Sequence, residues 1–402
     1  MTHVIRTGAE AQEVARKLAA SFGEEAARDR ERRLPAEELT LLADSGLLGV
    51  TVPARFGGAD VTVAVLAEVF RSLATADASL AQIPHSHVVF LHALRLQGTE
   101  AQQERFFRAA SGGALFANAQ AERGGRTAAD DATTLRPRPG GGYVLTGEKF
   151  YSTGALFADW LVVRAVLSDT PVPPGSTGGR PKAVAFLPRD TPGVTVRDDW
   201  DGMGQRTTAS GTVVLDEVGV DEDQVVPYSP IFAGPTTYGA RAQVLHAALD
   251  VGIARGALDA AVAQVSRARP WFEAGVERAA EEPLLVQQAG ELEILVRGAE
   301  ALLREAAASI DEAERSELTE ATTAAASIAT AVAKVAAARS SVEVSSALFE
   351  LGGTRSASGA SNLSRYWRDA RTHTLHDPTR WKVQHVGRWL LSGTPPPRHG
   401  QL

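Results

Sequence analysis

The chain has no cysteine among its 402 residues. That excludes a disulfide framework, thiolate zinc sites and a cysteine nucleophile. It has no excess of positive charge. Lys and Arg number 41 against 48 Asp and Glu, a formal net charge of −7 with a pI near 5.8, so there is no basic footprint for nucleic acid. No apolar core follows Met1-Thr2-His3-Val4-Ile5-Arg6, so no signal peptide is read there. No run reads as the ~20 apolar residues that span a bilayer. No Gly-x-Gly-x-x-Gly step follows a strand-like run, which argues against direct use of a nicotinamide dinucleotide. No ligand spacing supports a metal site, and no internal repeat is visible. The remaining composition, 44% hydrophobic and 22% charged, is that of a globular chain with two or three packed regions, expected in the cytoplasm.

The texture of the chain changes twice. Residues 8–110 are rich in Ala, Glu, Arg and Leu, with apolar residues at helical spacing in Leu39, Leu41, Leu42, Leu47 and Leu48. Pro35 with Glu37 and Glu38 makes a helix first turn. From Leu115 to about Val226, short β-branched and aromatic runs alternate with Gly, Asp and Pro. Examples are Tyr143–Thr146, Trp160–Val163, Ala183–Leu187 and Gly211–Leu215. They predict an antiparallel sheet or small barrel. Thr170–Lys182, with four prolines and three glycines, reads as a surface loop. From about Ile231 the helical pattern returns, and the Ala-rich segment Glu317–Phe349 reads as one long helix of a bundle. The tail Gly393–Leu402 is Pro-rich and expected on the surface or disordered. The fold class is thus α+β, with domains at 1–113 (helical), 114–228 (β) and 229–402 (helical bundle).

The densest chemistry lies near the C-terminus, in Arg368-Asp369-Ala370-Arg371-Thr372-His373-Thr374-Leu375-His376-Asp377-Pro378. So many titratable groups are costly to bury for packing alone. Other motifs stand in order along the chain: Leu47–Pro53 followed by Phe56-Gly57-Gly58, Leu145-Thr146-Gly147-Glu148-Lys149, Gly204-Gln205-Arg206-Thr207-Thr208 and Leu351-Gly352-Gly353. Together they resemble the acyl-CoA dehydrogenase superfamily over nearly the whole chain. Arg371–Pro378, Arg267-Ala268-Arg269-Pro270-Trp271 and Asp199–Arg206 resemble its flavin-dependent monooxygenase branch, which includes the dibenzothiophene monooxygenases and the sulfur-acquisition oxidoreductases.

That resemblance implies reduced FMN from a separate NAD(P)H-dependent flavin reductase, O2 as co-substrate, a C4a-(hydro)peroxyflavin and oxygenation of a small organic molecule, sulfur-containing by nearest resemblance, with oxygenation at nitrogen or carbon left open. It also implies a homotetramer. The alternative is an acyl-CoA dehydrogenase using FAD. A dehydrogenase of this fold needs a carboxylate base, often in a turn after the Arg-Asp-Ala-Arg element. Here that turn reads Leu375-His376-Asp377-Pro378-Thr379, with histidine at the expected carboxylate position. Imidazole is poorly suited to removing a carbon-bound proton of that acidity but well suited to moving protons around a peroxide. Asp377, one residue on, stays open as a base.

The resemblance assigns proton handling to His376 and to a histidine of the N-terminal helices, His87 or His85. The competing reading has one of the latter two cap or solvate a helix start after Pro84. Ser152 is implied as a hydrogen-bond partner of the flavin or peroxide, or else a turn serine. Asn118 would meet the isoalloxazine. Phe150 and Trp200 would wall the flavin or substrate pocket, or else fill the β core. His373 would order the loop or meet flavin polar atoms. Arg269 and Arg355 would hold the FMN phosphate, one from each of two subunits, or else form surface ion pairs.

Overall fold

Helix starts are written plainly into the first part of the chain. In the computed structural model, which describes residues 2–23, 25–125, 127, 130–171 and 179–401, this part folds as α1 (Gly8–Ser21), α2 (Glu25–Glu31), α3 (Ala36–Asp44), α4 (Val63–Ala76), α5 (Ala78–Gln82), α6 (His85–Gln97) and α7 (Glu100–Ser111). Thr7, Thr62, Asp77 and Thr99 each accept a backbone N–H from three residues on, relieving the unpaired donors of a first turn. Thr99 and Gln102 close a capping box.

The middle region forms β1 (Phe116–Ala119), β2 (Thr134–Pro137), β3 (Tyr143–Lys149), β4 (Trp160–Leu167), β5 (Lys182–Pro188), β6 (Val194–Val196), β7 (Val213–Val220) and β8 (Val225–Pro227). The strand order is β6-β7-β3-β2-β4-β5-β8, with β1 also on β4. The sheet is mixed rather than purely antiparallel. One edge of β4 is shared, with β1 parallel to Trp160–Val163 and β2 parallel to Val166–Leu167. Among the described residues the path runs open from β6 to β8. Strand β5 alternates strictly. Val184 and Phe186 join Phe106 and Phe116 under α6 and α7, while Ala183, Ala185 and Leu187 join a second core on the other face. Of the expected loop Thr170–Lys182, residues 172–178 lie outside the described residues.

The C-terminal region holds α8 (Tyr238–Val265), α9 (Pro283–Arg315), α10 (Glu320–Gly352), α11 (Ser364–His373) and α12 (Thr379–Ser392). Small residues let the long helices touch. A Cβ on Gly252 would lie 2.6 Å from Ala74 Cβ, and one on Gly256 would lie 2.5 Å from the Thr75 carbonyl. These glycines therefore set the close crossing of α8 on α4. One apolar run is longer than the sequence suggests. The segment Glu320–Ala357 is long and apolar enough, by length and composition, to cross a membrane. Its apolar face is largely spent inside the bundle, where Ala326, Ala333 and Ala337 join the core formed by α4, α8 and α9. The tail folds back, with Lys382 Nζ donating to the Gln401 carbonyl at 2.6 Å and Arg398 pairing with Glu320.

Candidate active site

Unpaired buried oxygens lie on three adjoining segments. The turn after β3 places Ser152 at 0% exposure, its N–H bonded to the Gly211 carbonyl at 3.1 Å and its Oγ without a partner. Asn118, on β1, donates from Nδ2 to the Tyr151 carbonyl at 3.0 Å and leaves Oδ1 unpaired. Gln82, at the end of α5, also has a buried unpaired Oε1. Its neighbour Ile83 abuts Gly154, where a Cβ would lie 3.1 Å from Ile83 Cγ2 and 3.7 Å from Ala117 Cβ. Buried polar atoms without partners are uncommon and costly, so a set of them calls for an explanation. A flat ligand edged with donors and acceptors would complete all three.

The backbone around them is held in unusual conformations. Tyr151, Gln205 and Ala209 are non-glycine residues at φ 58°, 47° and 48°. Such strain persists only where the surroundings enforce it. The enforcement here is visible. Thr153, Ser210 and Thr208 form a chain of hydroxyls at 2.8 and 2.7 Å, ending on the Gln205 carbonyl at 3.0 Å. Trp200 Nε1 donates to that same carbonyl at 2.9 Å. The loop is fastened to α11. Gln205 N–H donates to Asp369 Oδ1 at 2.5 Å, and Gly204 N–H donates to Thr372 Oγ1 at 3.0 Å. Gly204 lies so close that a Cβ would meet the Arg368 carbonyl at 2.1 Å. Burial, with Glu25 nearby, pushes the Asp369 carboxyl well above its usual range.

The second feature is a cluster of histidines at the end of α11. His373 Nδ1 lies 2.5 Å from Asp250 Oδ1, and its Nε2 lies 3.0 Å from His246 Nδ1. Asp250 Oδ2 accepts from Lys334 Nζ at 3.0 Å. The His246 ring packs against His85, with centroids 3.9 Å apart, and against His376, 4.0 Å apart. Burial pushes His85 down to about 3 and holds His246 well below the usual imidazole range. Burial also lowers His373, despite its contact with Asp250. The reason is that Lys334 already balances the Asp250 charge, so a second buried cation gains little. Burial alone would raise Asp250, but Lys334 and His373 outweigh it and keep the carboxylate ionised.

His376 remains partly exposed, its Nδ1 3.5 Å from Asp377 Oδ1. Asp377 is itself buried and ion-paired with Lys382. Burial would raise its pKa, but His376, Lys334 and Lys382 hold it far below the usual carboxylate range. A carboxylate so stabilised is a poor base. The carboxylates of α8 are Asp250 and Asp259, and Asp250 is committed to Lys334 and His373.

The sequence-derived candidates divide accordingly. Ser152 and Asn118 lie on adjoining segments, each with a buried unpaired oxygen, and Trp200 braces the adjoining loop. Phe150 is buried beneath the Arg123 guanidinium, 3.3 Å above its ring, and the exposed aromatic there is its neighbour Tyr151. The assignment of His87 to proton handling is corrected. Its ring is 0% exposed, its Nε2 donates to the Leu48 carbonyl at 2.7 Å, and its Nδ1 accepts from Phe116 N–H at 3.2 Å. With both nitrogens tied to backbone, the ring braces α6 against β1 and has no atom left for a ligand. His85 is likewise buried, with Nε2 on the Ala242 carbonyl at 3.0 Å. His373 is corrected as a cofactor contact, because both of its ring nitrogens are engaged inside the protein. Arg269 and Arg355 are exposed, and Arg355 Nη1 donates to the Arg267 carbonyl at 2.8 Å, so within one chain they stand at the same place. That place is the far end of α8 from His246, about 28 Å along the helix axis.

Sequence reasoning missed His246, Asp250, Lys334, Gln82 and Tyr151. A signal existed for the first three. His246 and Asp250 stand four residues apart in the apolar run Val244–Ala254, and Lys334 interrupts an alanine-rich helix. Isolated polar groups in helices otherwise fit for burial are expected to find one another.

Compared with known proteins, residues 7–114 match the acyl-CoA dehydrogenase N-terminal domain, 117–218 the middle domain and 244–381 the C-terminal domain. The chain is 33% identical to a dibenzothiophene monooxygenase of Rhodococcus qingshengii over 395 residues, 95% of this chain and 93% of that one. It is 30% identical to a probable FMNH2-dependent monooxygenase, SfnC, of Pseudomonas putida, covering 95% of each. The crystal structure of FMN-bound TdsC from Paenibacillus sp. A11-2 superposes with a TM-score of 0.90 at 33% identity, covering 98% of this chain and 100% of that one.

Proposed function

The chain belongs to the acyl-CoA dehydrogenase family, and on that premise we propose that it is a two-component, FMNH2-dependent monooxygenase acting on a small sulfur-containing molecule. The observation that carries this reading is the C-terminal turn. An imidazole, His376, stands where a dehydrogenase would present a carboxylate, and the adjacent Asp377 is locked in an ion pair. The sulfur substrate class follows the relatives, one named for dibenzothiophene. The domains are taken as 1–113, 114–228 and 229–402.

FMN fits the residues present. The unpaired oxygens of Gln82, Asn118 and Ser152 suit the polar rim of an isoalloxazine, with Trp200 and Tyr151 at the margin. When bound in reduced form, FMN supplies the two electrons that let one oxygen atom of O2 go to the substrate and the other leave as water. Ser152 Oγ and Asn118 Oδ1 would hold and orient the ring. His376 gives and takes protons at its imidazole nitrogens, and the buried cluster behind it limits entry of water. Arg269 and Arg355 lie too far along α8 to reach the phosphate of a flavin seated near His246 in the same chain, so they serve the flavin of a second copy. The planar guanidinium suits that phosphate contact.

A homo-oligomer follows from this reading of the arginines, and a homotetramer is the assembly proposed. The α12 residues Trp381, Leu390 and Leu391 and the α9 residues Leu284 and Ile294 offer exposed apolar surface for its contacts. The working partners are an NAD(P)H-dependent flavin reductase and O2, in the cytoplasm. The test is direct. Purified protein with FMN, a flavin reductase, NADH and O2 should raise the mass of a sulfide, sulfoxide or thiophene by one oxygen. Bleaching of bound FAD by an acyl-CoA, with no oxygenated product, would assign the chain to the dehydrogenases instead.

A further inference from the structure

Four imidazoles meet behind the C-terminal turn, and the function proposed above uses one of them. His85, His246 and His376 form a stack with His246 in the middle, its neighbours tilted by 30° and 35°. The edge of that middle ring is pinned by a hydrogen-bonded line running from His246 Nδ1 to His373 Nε2 and from His373 Nδ1 to Asp250. Lys334 closes the line on the other Asp250 oxygen. His246, Asp250, His373 and Lys334 are all 0–1% exposed. Stacking alone needs no such line, since a phenyl ring would stack as well without the cost of burying polar groups.

We propose that Asp250, His373 and His246 are positioning residues for His376, a buried relay that fixes His246 as its Nδ1–H tautomer and, through the stacked face, sets the ring plane of His376. The inference rests on the reading of His376 as the proton-handling residue. The direction of the relay follows from hydrogen-bond inventory. An ionised carboxylate only accepts, so His373 carries its proton on Nδ1. With Asp250 already balanced by Lys334, His373 stays neutral and its Nε2 is a lone pair. His246 must then donate from Nδ1, and it too is neutral. A neutral ring beneath His376 leaves that residue free to take up a proton, whereas an imidazolium 4.0 Å away would oppose it. Orientation of a working imidazole by a buried carboxylate is a general device, here extended by one ring.

The test is neutron diffraction from crystals of the flavin-free chain. Deuterium is expected on Nδ1 of both His246 and His373 and on Nε2 of neither. Deuterium on Nε2 of His246 would overturn the proposal whatever any variant does. In Asp250→Asn, Lys334 keeps the amide oxygen and the amide N–H turns to His373, so both tautomers should reverse and the His376 ring should leave its present plane. The same variant should lose at least tenfold in product formed per O2 consumed, with FMN affinity within twofold of the parent. Unchanged tautomers and unchanged coupling in a folded Asp250→Asn protein would refute the relay. The diffraction result needs no turnover, so it is separate from a failure of the His376 reading, which would appear as full product from His376→Ala.

Discussion

Lys334→Met tests the charge balance of the buried cluster. The substitution shortens the side chain by one atom and removes the cation 3.0 Å from Asp250 Oδ2, at a site 0–1% exposed. With an effective dielectric constant near 20, that contact amounts to about 5 kcal/mol. Breaking a buried pair by removing one partner typically costs about 3–5 kcal/mol. The loss should depend on pH in a defined sense. In the parent, Lys334 balances Asp250 and burial keeps His373 neutral. In the variant, the uncompensated Asp250 draws a proton onto His373, so its folded-state pKa rises above the ordinary 6.5. A raised histidine pKa contributes stability that is fully present below 6.5 and is lost as pH climbs through the folded value. The stability difference between parent and variant should therefore be largest at pH 8 and shrink by up to about 2 kcal/mol by pH 6.5. Paired denaturant unfolding curves at pH 8.0 and 6.5 measure it, and taking the difference cancels titrations common to both proteins, such as that of Glu25, which burial raises to about 7. A deficit below about 1 kcal/mol, or one equal at both pH values, would refute the reasoning.

Three further outcomes are expected. His376→Ala should fold, consume O2 and release hydrogen peroxide in place of oxygenated product, as followed by a peroxide assay beside product mass; parental product levels would remove His376 from the mechanism. Ser152→Ala deletes a buried hydroxyl with no partner, so the flavin-free protein should become more stable, by about 1 kcal/mol, while FMN titration shows weaker binding; lower stability in the flavin-free state would contradict the pocket assignment. Arg269→Ala should weaken FMN at least tenfold and leave riboflavin, which has no phosphate, unchanged; equal loss for both flavins would point to a folding defect.

Much of the architecture was legible because it is local. The change of texture near Leu115 and the return of helical spacing near Ile231 bracket the strands β1–β8, and the alanine-rich run became α10. The parallel placement of β1 and β2 along one edge of β4 was not legible, since nothing in a short strand declares the direction of its neighbour. The site divides in the same way. Ser152, Asn118 and His376 stand in recognisable motifs. His87 belongs to a motif too, but its burial is decided by the Leu48 carbonyl and Phe116 N–H, 39 and 29 residues away. The contacts of His246, Asp250 and Lys334 are illegible in the sequence for the same cause. Lys334 meets Asp250 across 84 residues, and His373 meets His246 across 127. Such pairs exist only once α8, α10 and α11 are packed.

Oxygen insertion, with the imidazole of His376 handling protons, is the central claim. Turnover under 18O2 with reduced FMN, a flavin reductase and dibenzothiophene or a simpler sulfide measures that directly. One 18O atom should appear in the product and the other in water, and the label should be lost when Ala replaces His376. A product without label, or an acyl-CoA desaturated with no oxygen incorporated, would contradict it.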